Sequence, residues 1–378
     1  MKYLRDIDFS GKSVLLRLDL NTPIDSGKVS DNERILRSLK TIEFLADQSK
    51  RLIIISHLGR PQENNEIQPE YSLKPVAEEL SKLIAKKVDL AESLSDIDET
   101  NSLTLLENVR FLEGEKSNND KLAKTLSSLA DVVVFDAFAT SHRAHASTSG
   151  IISHSKEACA GYLIEEELYS LNKAFSDPKR PFVAVIGGSK VSTKLGLLDS
   201  LASKVDLLLL GGGIANTCLL SQGKSIGNSL AEESMLHEAK RLSGNKKVII
   251  PDKFMVLTEN GMVIEKTTDE IEDTDQIFDV SENFFRENDD LFKEAKTIIW
   301  NGPIGMIEDD RFSKGTARLA KIISSSNAFS VIGGGDTIAG AKKANVLDKV
   351  GYVSTAGGAF LEFLEGKQLP AIACLENK

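Results

Sequence analysis

Short, continuous apolar runs punctuate the chain, and between them apolar residues recur at helical spacing. The runs are VLLRLDL (14–20), LIIISH (52–57), LTLLEN (103–108), VVVFDAF (132–138), FVAVIGG (182–188), DLLLLGGG (206–213), KVIIPD (247–252), TIIWNG (297–302), FSVIGGG (329–335) and YVSTAGG (352–358). A strand that is apolar at every position is covered on both faces, as in a parallel sheet flanked by helices. The pattern predicts an α/β protein. At 378 residues the chain exceeds what one hydrophobic core supports, so we expect two doubly wound parallel-sheet (Rossmann-like) domains. The stretch GYLIEEELYSLNKAFSDPKRP (161–181) spaces Leu163, Leu168, Leu171 and Phe175 roughly helically ahead of Pro178 and Pro181. It predicts a helix joining the domains, with hinges at its ends. The expected division is 1–160, a joining helix over 161–177, a second domain over 178–360, and a C-terminal segment over 361–378.

The runs end in two different ways. The early ones release polar and charged groups: Asp19 and Asn21, then SHLGRP (56–61), ENVRF (107–111) and FDAFATSHRAHASTSG (135–150). The later ones release glycines: Gly187-Gly188, Gly211-Gly212-Gly213, Gly302, Gly333-Gly334-Gly335 and Gly357-Gly358. Ligands of open parallel sheets bind beyond the carboxyl ends of the strands, so each set predicts its own site. One domain should take a compact anion. The other should wrap a polyphosphate with backbone N–H groups.

The formal charge of −10 argues against broad nucleic-acid binding and makes any anion site local. Four of the five histidines, His57, His142, His145 and His154, fall near Arg17, Arg34, Arg60, Arg110 and Arg143 in the first part of the chain. No apolar run approaches the ~20 residues that span a bilayer, and MKYLRDIDFSGKSV lacks the apolar core of a signal peptide, so no membrane association and a cytoplasmic location are expected. Cys159, Cys218 and Cys374 form no CxxC pair and read as core residues.

Two GKS triplets, at 11–13 and 223–225, are not P-loops, since Asp6 and Cys218 stand where the motif needs its first glycine. GGGIAN (211–216) puts Asn216 in the third glycine position of a dinucleotide fingerprint and is a weak match, equally a tight turn. GGSKVSTK (187–194), WNGPIGMIE (300–308) and GGGDTIAGAKK (333–343) together make a stronger case, with Lys190 and Lys194 supplying positive charge to a phosphate. Asp336 reads either as a helix N-cap or as a carboxylate for magnesium on a nucleotide. Glu308 is a surface acid or a partner for ribose hydroxyls. In FDAFATSHRAHASTSG, Arg143 should grip substrate oxygens, while His142 and His145 either orient it and add positive field or are simply hydrogen-bonded neighbours; as a metal pair the histidines have no evident third ligand.

RLDLNTP (17–23), SHLGRP, ENVRF, DAFATSHRAHAST, GGSKVSTKLGLL, GGGIANTCL, WNGPIGMIE, GGGDT and STAGGAFLEFLEGKQLP (354–370) resemble, in order and over nearly the whole chain, the phosphoglycerate kinase family. The resemblance implies reversible phosphoryl transfer between 1,3-bisphosphoglycerate and MgADP, giving 3-phosphoglycerate and MgATP, by a monomer. It places the phosphoglycerate on Asp19, Asn21, Arg34, His57, Arg60, Arg110 and Arg143. The nucleotide falls on Lys190, Lys194, Gly211, Gly212, Gly213, Asn301, Pro303, Glu308, Gly334, Gly335, Asp336 and Thr337, with Asp336 toward Mg²⁺. Arg34 and Lys194 should meet the transferred phosphoryl group, cradled by N–H groups of Gly357 and Gly358. The attacking carboxylate is already ionised at neutral pH, so no general base is needed, and none is evident. Ser189, Thr193, Asp252 and Ala356 depart from the family's usual pattern; Ala356 should keep φ negative. A nicotinamide-dependent oxidoreductase using GGGIAN and a non-catalytic two-domain solute-binding protein are the rival readings.

Overall fold

All ten apolar runs are strands, and the residues between them close two separate parallel sheets. The computed structural model describes residues 1–98 and 100–378. It divides into two units, Met1–Leu168 with Gln368–Lys378, and Tyr169–Lys367.

In the first unit six strands lie in the order Asp89–Ala91, Leu103–Leu106, Arg51–Ile55, Ser13–Leu18, Val132–Asp136, Glu157–Ala160, every neighbour parallel. Central Ser13–Leu18 is flanked on both sides, with Arg17 in register with Ile55 and Phe135. Val14, Leu16, Leu52, Ile54, Val132 and Val134 form the middle of one core and are essentially inaccessible to water. Each such aliphatic side chain stabilises the fold by about 1.5–3 kcal/mol, which explains why these strands carry no polar alternation. The helix Glu33–Gln48 covers one face with Ile35, Ser38, Thr41, Ile42 and Leu45, at the three- and four-residue spacing of a helix stripe.

The second unit repeats the plan in the order Val248–Ile249, Leu207–Leu210, Phe182–Ile186, Thr297–Asn301, Phe329–Gly333, Tyr352–Ser354, again parallel throughout. It adds an antiparallel sheet of Val263–Thr267, Lys253–Leu257 and Gln276–Val280. The sequence pattern did not reveal that sheet, nor the edge strands Asp89–Ala91 and Glu157–Ala160. Lys253–Leu257 buries alternate residues only, and the edge strands are short and poor in branched aliphatics. Trp300, Phe254, Phe285 and Phe292 anchor the core between the two sheets and their helices.

Tyr162–Leu171 is α-helical and runs on as one wider turn, Asn172–Ser176. The unit boundary falls within it, between Leu168 and Tyr169. At the C-terminus, the helix Pro370–Glu376 lies in the first unit, where Ala371 N donates to Ser141 O at 3.1 Å and Lys378 Nζ donates to Ser153 O and Ser155 O. Ala356 is not among the non-glycine residues with positive φ. Cys159 and Cys218 are buried, whereas Cys374 is half-exposed, its Sγ 3.2 Å from Ser153 Oγ; one of the three cysteines is therefore not a core residue. Among the described residues no helix is long and apolar enough to cross a membrane.

Candidate active site

The strand ends of the first unit converge on a cluster of guanidinium groups. Arg17, at the end of Ser13–Leu18, is fully buried; it donates to Leu18 O and, from Nε, to Ser147 Oγ at 3.2 Å. Glu115 is buried beside it and accepts from Ser147 N at 2.9 Å and Ser147 Oγ at 2.6 Å. Asp19 pairs with Arg34 and lies 3.8 Å from His57 Nδ1. Gly59 N donates to Asn21 Oδ1 at 2.8 Å, and Arg110 Nη1 donates to Gly59 O. Gly59 has φ +60, and a Cβ there would lie 2.3 Å from the Tyr71 ring, so this loop cannot be built with another residue unaltered. Arg143 donates from Nε to His142 Nε2 at 3.3 Å. Arg60, next to Gly59, is exposed.

The electrostatics are those of a pocket short of negative charge. Burial pushes Arg110 down to about 10, and the positive charges of Arg143 and Arg17 push the same way. Burial and the same group of arginines hold His57 well below the usual histidine range and bring His145 to about 4. His145 is therefore neutral at pH 7, and of its two readings the one that adds positive field is disfavoured: burial first, and then the charge of the arginines, keeps the imidazole unprotonated. Burial raises the Glu115 carboxyl, while Ser147 and Arg17 hold it back. Arg17 and Glu115 join the cluster although sequence reasoning counted Arg17 only as a nearby cation and passed over Glu115. Nothing in GEKS marks Glu115 as buried; only the fold brings it under Arg17.

The second unit encloses a cavity of about 590 Å³ at the glycine-rich strand ends. Of the expected residues, Gly212, Gly213, Pro303, Glu308 and Asp336 line it, as do Gly188 and Ser189; Leu230, Phe254, Ile277, Phe278 and Met306 give it an apolar side. Backbones approach so closely that a Cβ on Gly187 would sit 1.9 Å from Pro303 O, which only glycine permits. Lys194 Nζ donates to Gly187 O at 2.6 Å and Asn301 Oδ1 at 2.7 Å. Asn301 Nδ2 donates to Gly333 O at 2.6 Å, and Gly302 N donates to Thr337 Oγ1 at 2.6 Å. Asn301 and Thr337 are thus buried struts that hold the loops together beneath the cavity. Lys190 is exposed, with Glu232 the carboxylate in its field.

Burial brings Lys194 down to about 8, partly offset by the negative charge of Asp336. Asp336 is exposed in the first turn of the helix Gly335–Lys343, and the capping position belongs to Gly334 at φ +100, so the N-cap reading of Asp336 does not hold. Gly357, at φ +55, precedes the short helix Gly358–Leu364. Sequence reasoning missed Asp279, which lines the cavity and accepts from Gly315 N at 2.7 Å and Val280 N at 2.9 Å. Burial pushes its carboxyl up to about 8.

A cluster of arginines at the strand ends of one unit, and in the other a glycine-lined cavity with Lys194 close to Asp336, suit a small-molecule phosphotransferase. The family model described as phosphoglycerate kinase matches residues 4–367. The curated phosphoglycerate kinases of Francisella philomiragia and Francisella tularensis subsp. novicida are 46% and 45% identical to the chain, each over 99% of it and 98% of their own length. Among solved structures, phosphoglycerate kinase from Coxiella burnetii superposes with a TM-score of 0.93 at 45% identity, covering 100% of this chain and 99% of its own. The Pyrococcus horikoshii phosphoglycerate kinase gives 0.83 at 30% identity, covering 100% and 98%. The chain belongs to the phosphoglycerate kinase family. It is a kinase that transfers phosphate between ATP and the carboxyl group of 3-phosphoglycerate, reversibly, in glycolysis. Family membership displaces the nicotinamide and solute-binding readings.

Proposed function

We propose that the first unit binds 3-phosphoglycerate or 1,3-bisphosphoglycerate through Asp19, Asn21, Arg34, His57, Arg60, Arg110 and Arg143. The observation that carries this is the mutual repulsion of Arg17, Arg110 and Arg143, which a bound anion relieves. Asp19 and Asn21 accept from substrate hydroxyls, and His57 enters as a neutral hydrogen-bonding group. The nucleotide takes the cavity of the second unit, its base against Leu230 and Phe278 and its ribose toward Glu308. Its phosphates lie along Gly211 to Gly213 and Gly334 to Thr337, with Lys190 and Lys194 as counter-charges. Asn301 and Pro303 shape the floor.

The exposed carboxylate of Asp336, close enough to Lys194 to perturb it, fits an Mg²⁺ ion shared with phosphate oxygens. Bound there, the ion neutralises phosphate charge. Transfer itself needs alignment and charge neutralisation in place of a base. Arg34 and Lys194 supply positive charge to the oxygens of the moving phosphoryl group, and N–H groups of Gly357 and Gly358 complete the cradle. Lys194 first exchanges its bonds to Gly187 and Asn301 for phosphate oxygens.

Arg34→Ala tests the assignment. Turnover of 3-phosphoglycerate with MgATP should fall by about 10³–10⁵-fold while ADP affinity is kept. Normal kcat in this variant removes Arg34 from the mechanism.

A further inference from the structure

Helix Tyr162–Leu171 carries the chain out of the first unit, and its first N–H groups have no partner within the helix. The preceding residue usually supplies a side-chain acceptor, but here it is Gly161. The acceptors come from distant parts of the sequence. Asp136, fully buried at the end of Val132–Asp136, accepts from Ile164 N at 2.9 Å and from the Leu163 amide. Thr41 Oγ1 accepts from Tyr162 N at 3.3 Å and donates to Asp136 Oδ2 at 2.6 Å. A Cβ on Gly161 would lie 2.3 Å from Asp136 Cγ, and Gly161 is not among the positive-φ glycines. Close approach to Asp136, rather than backbone freedom, requires glycine there.

Thr41 belongs to the helix Glu33–Gln48, whose first turn carries Arg34. The Tyr162 ring also packs on that helix, 5.7 Å from the Phe44 ring and with Lys40 Nζ 4.3 Å over its face. The second crossing of the chain is tied nearby: past Asp136, Ser141 O accepts from Ala371 N at 3.1 Å, two residues ahead of Arg143. Both crossings between the units are therefore bonded to the elements that bear Arg34 and Arg143.

We propose that Asp136 and Thr41 are positioning residues that lock the first turn of helix Tyr162–Leu171 to the helix bearing Arg34 and so hold Arg34 in the alignment that phosphoryl transfer needs. The inference rests on the assignment of Arg34 to the transferred phosphoryl group. Loss of the lock leaves Arg34 present to bind substrate and relaxes its alignment in the transition state, so kcat falls far more than KM rises.

Thr41→Val removes the hydroxyl and keeps the shape; Thr41→Ser keeps the hydroxyl. Steady-state kinetics should show kcat about tenfold lower for the valine variant, KM for both substrates within about twofold, and recovery of kcat in the serine variant. Asp136→Asn, which places an amide where a carboxylate accepts, should show the same loss confined to kcat, and thermal melting verifies that each variant is folded. A folded valine variant with parental kcat overturns the proposal, and so does a serine variant as slow as the valine one. If Arg34→Ala proves fully active, the reading of Arg34 fails; if Arg34→Ala is inactive and Thr41→Val is not impaired, only the lock fails.

Discussion

The strand ends of the two units are built in opposite ways. In the first, Arg17, Arg34, Arg110 and Arg143 gather as side chains, and Asp19 and Glu115 temper their repulsion. In the second, backbone does the work: Gly187, Gly211 and Gly213 let loops pack so tightly that a single methyl group would collide. The first arrangement concentrates like charges, which burial and mutual repulsion oppose; the second leaves hardly any room for an added atom at its glycines. On the proposed reading, concentrated charge suits a compact, multiply charged acid, and a track of N–H groups beside an apolar slot suits a nucleotide.

The sharpest way to break this contrast is steric. Gly187→Ala should destabilise the second unit by about 3 kcal/mol or more and abolish nucleotide binding. Binding of 3-phosphoglycerate should persist, as expected of sites with no shared partners. Calorimetric melting and separate titrations of the two substrates check it; intact ADP binding would show that the loops can yield.

A smaller effect concerns the one buried cation of the backbone pocket. Lys194 has a folded value of about 8, depressed from 10.5 by burial. It is charged below about pH 8 and loses its proton above it, so its attraction for phosphate is present at low pH and fades as pH rises. The kcat/KM for nucleotide should therefore fall through about pH 8, and Lys194→Met should be slow and lack that limb. The stability effect has the opposite sign. Holding the buried ion costs stability below pH 8, and the cost is relieved between 8 and 10.5, where the unfolded chain binds more protons.

The smallest effect is expected at His145. Because burial and the neighbouring arginines keep it neutral down to about pH 4, His145→Gln should leave the shape of the pH profile for 3-phosphoglycerate binding between pH 5.5 and 7.5 superimposable on the parent's. A profile that loses a step near pH 6 would show that the histidine titrates in that range and contributes charge.

Much of the fold was legible because burial on two faces writes itself plainly: LIII and VVVF have no polar alternation to misread. The antiparallel sheet was not, since KFMVL buries every second residue and reads the same on a helix or in a loop. At the sites, residue type at a strand end pointed to Arg110, Arg143 and the glycines. It did not point to Asp279, Glu115 or Asp136. A carboxylate on the sequence looks alike whether it meets water or two backbone amides.

By itself the sequence determined the class of fold, the two contrasting kinds of strand end, and the family, because these depend on local composition and on order along the chain. Only the tertiary structure decided that His57 and His145 stay neutral, which lysine is tied down, and that Asp136 and Thr41 cap a helix that begins at Tyr162. Protonation and hydrogen bonding depend on desolvation and on partners far apart in the chain, 130 residues for Arg17 and Ser147, and neither is a property of neighbours in sequence.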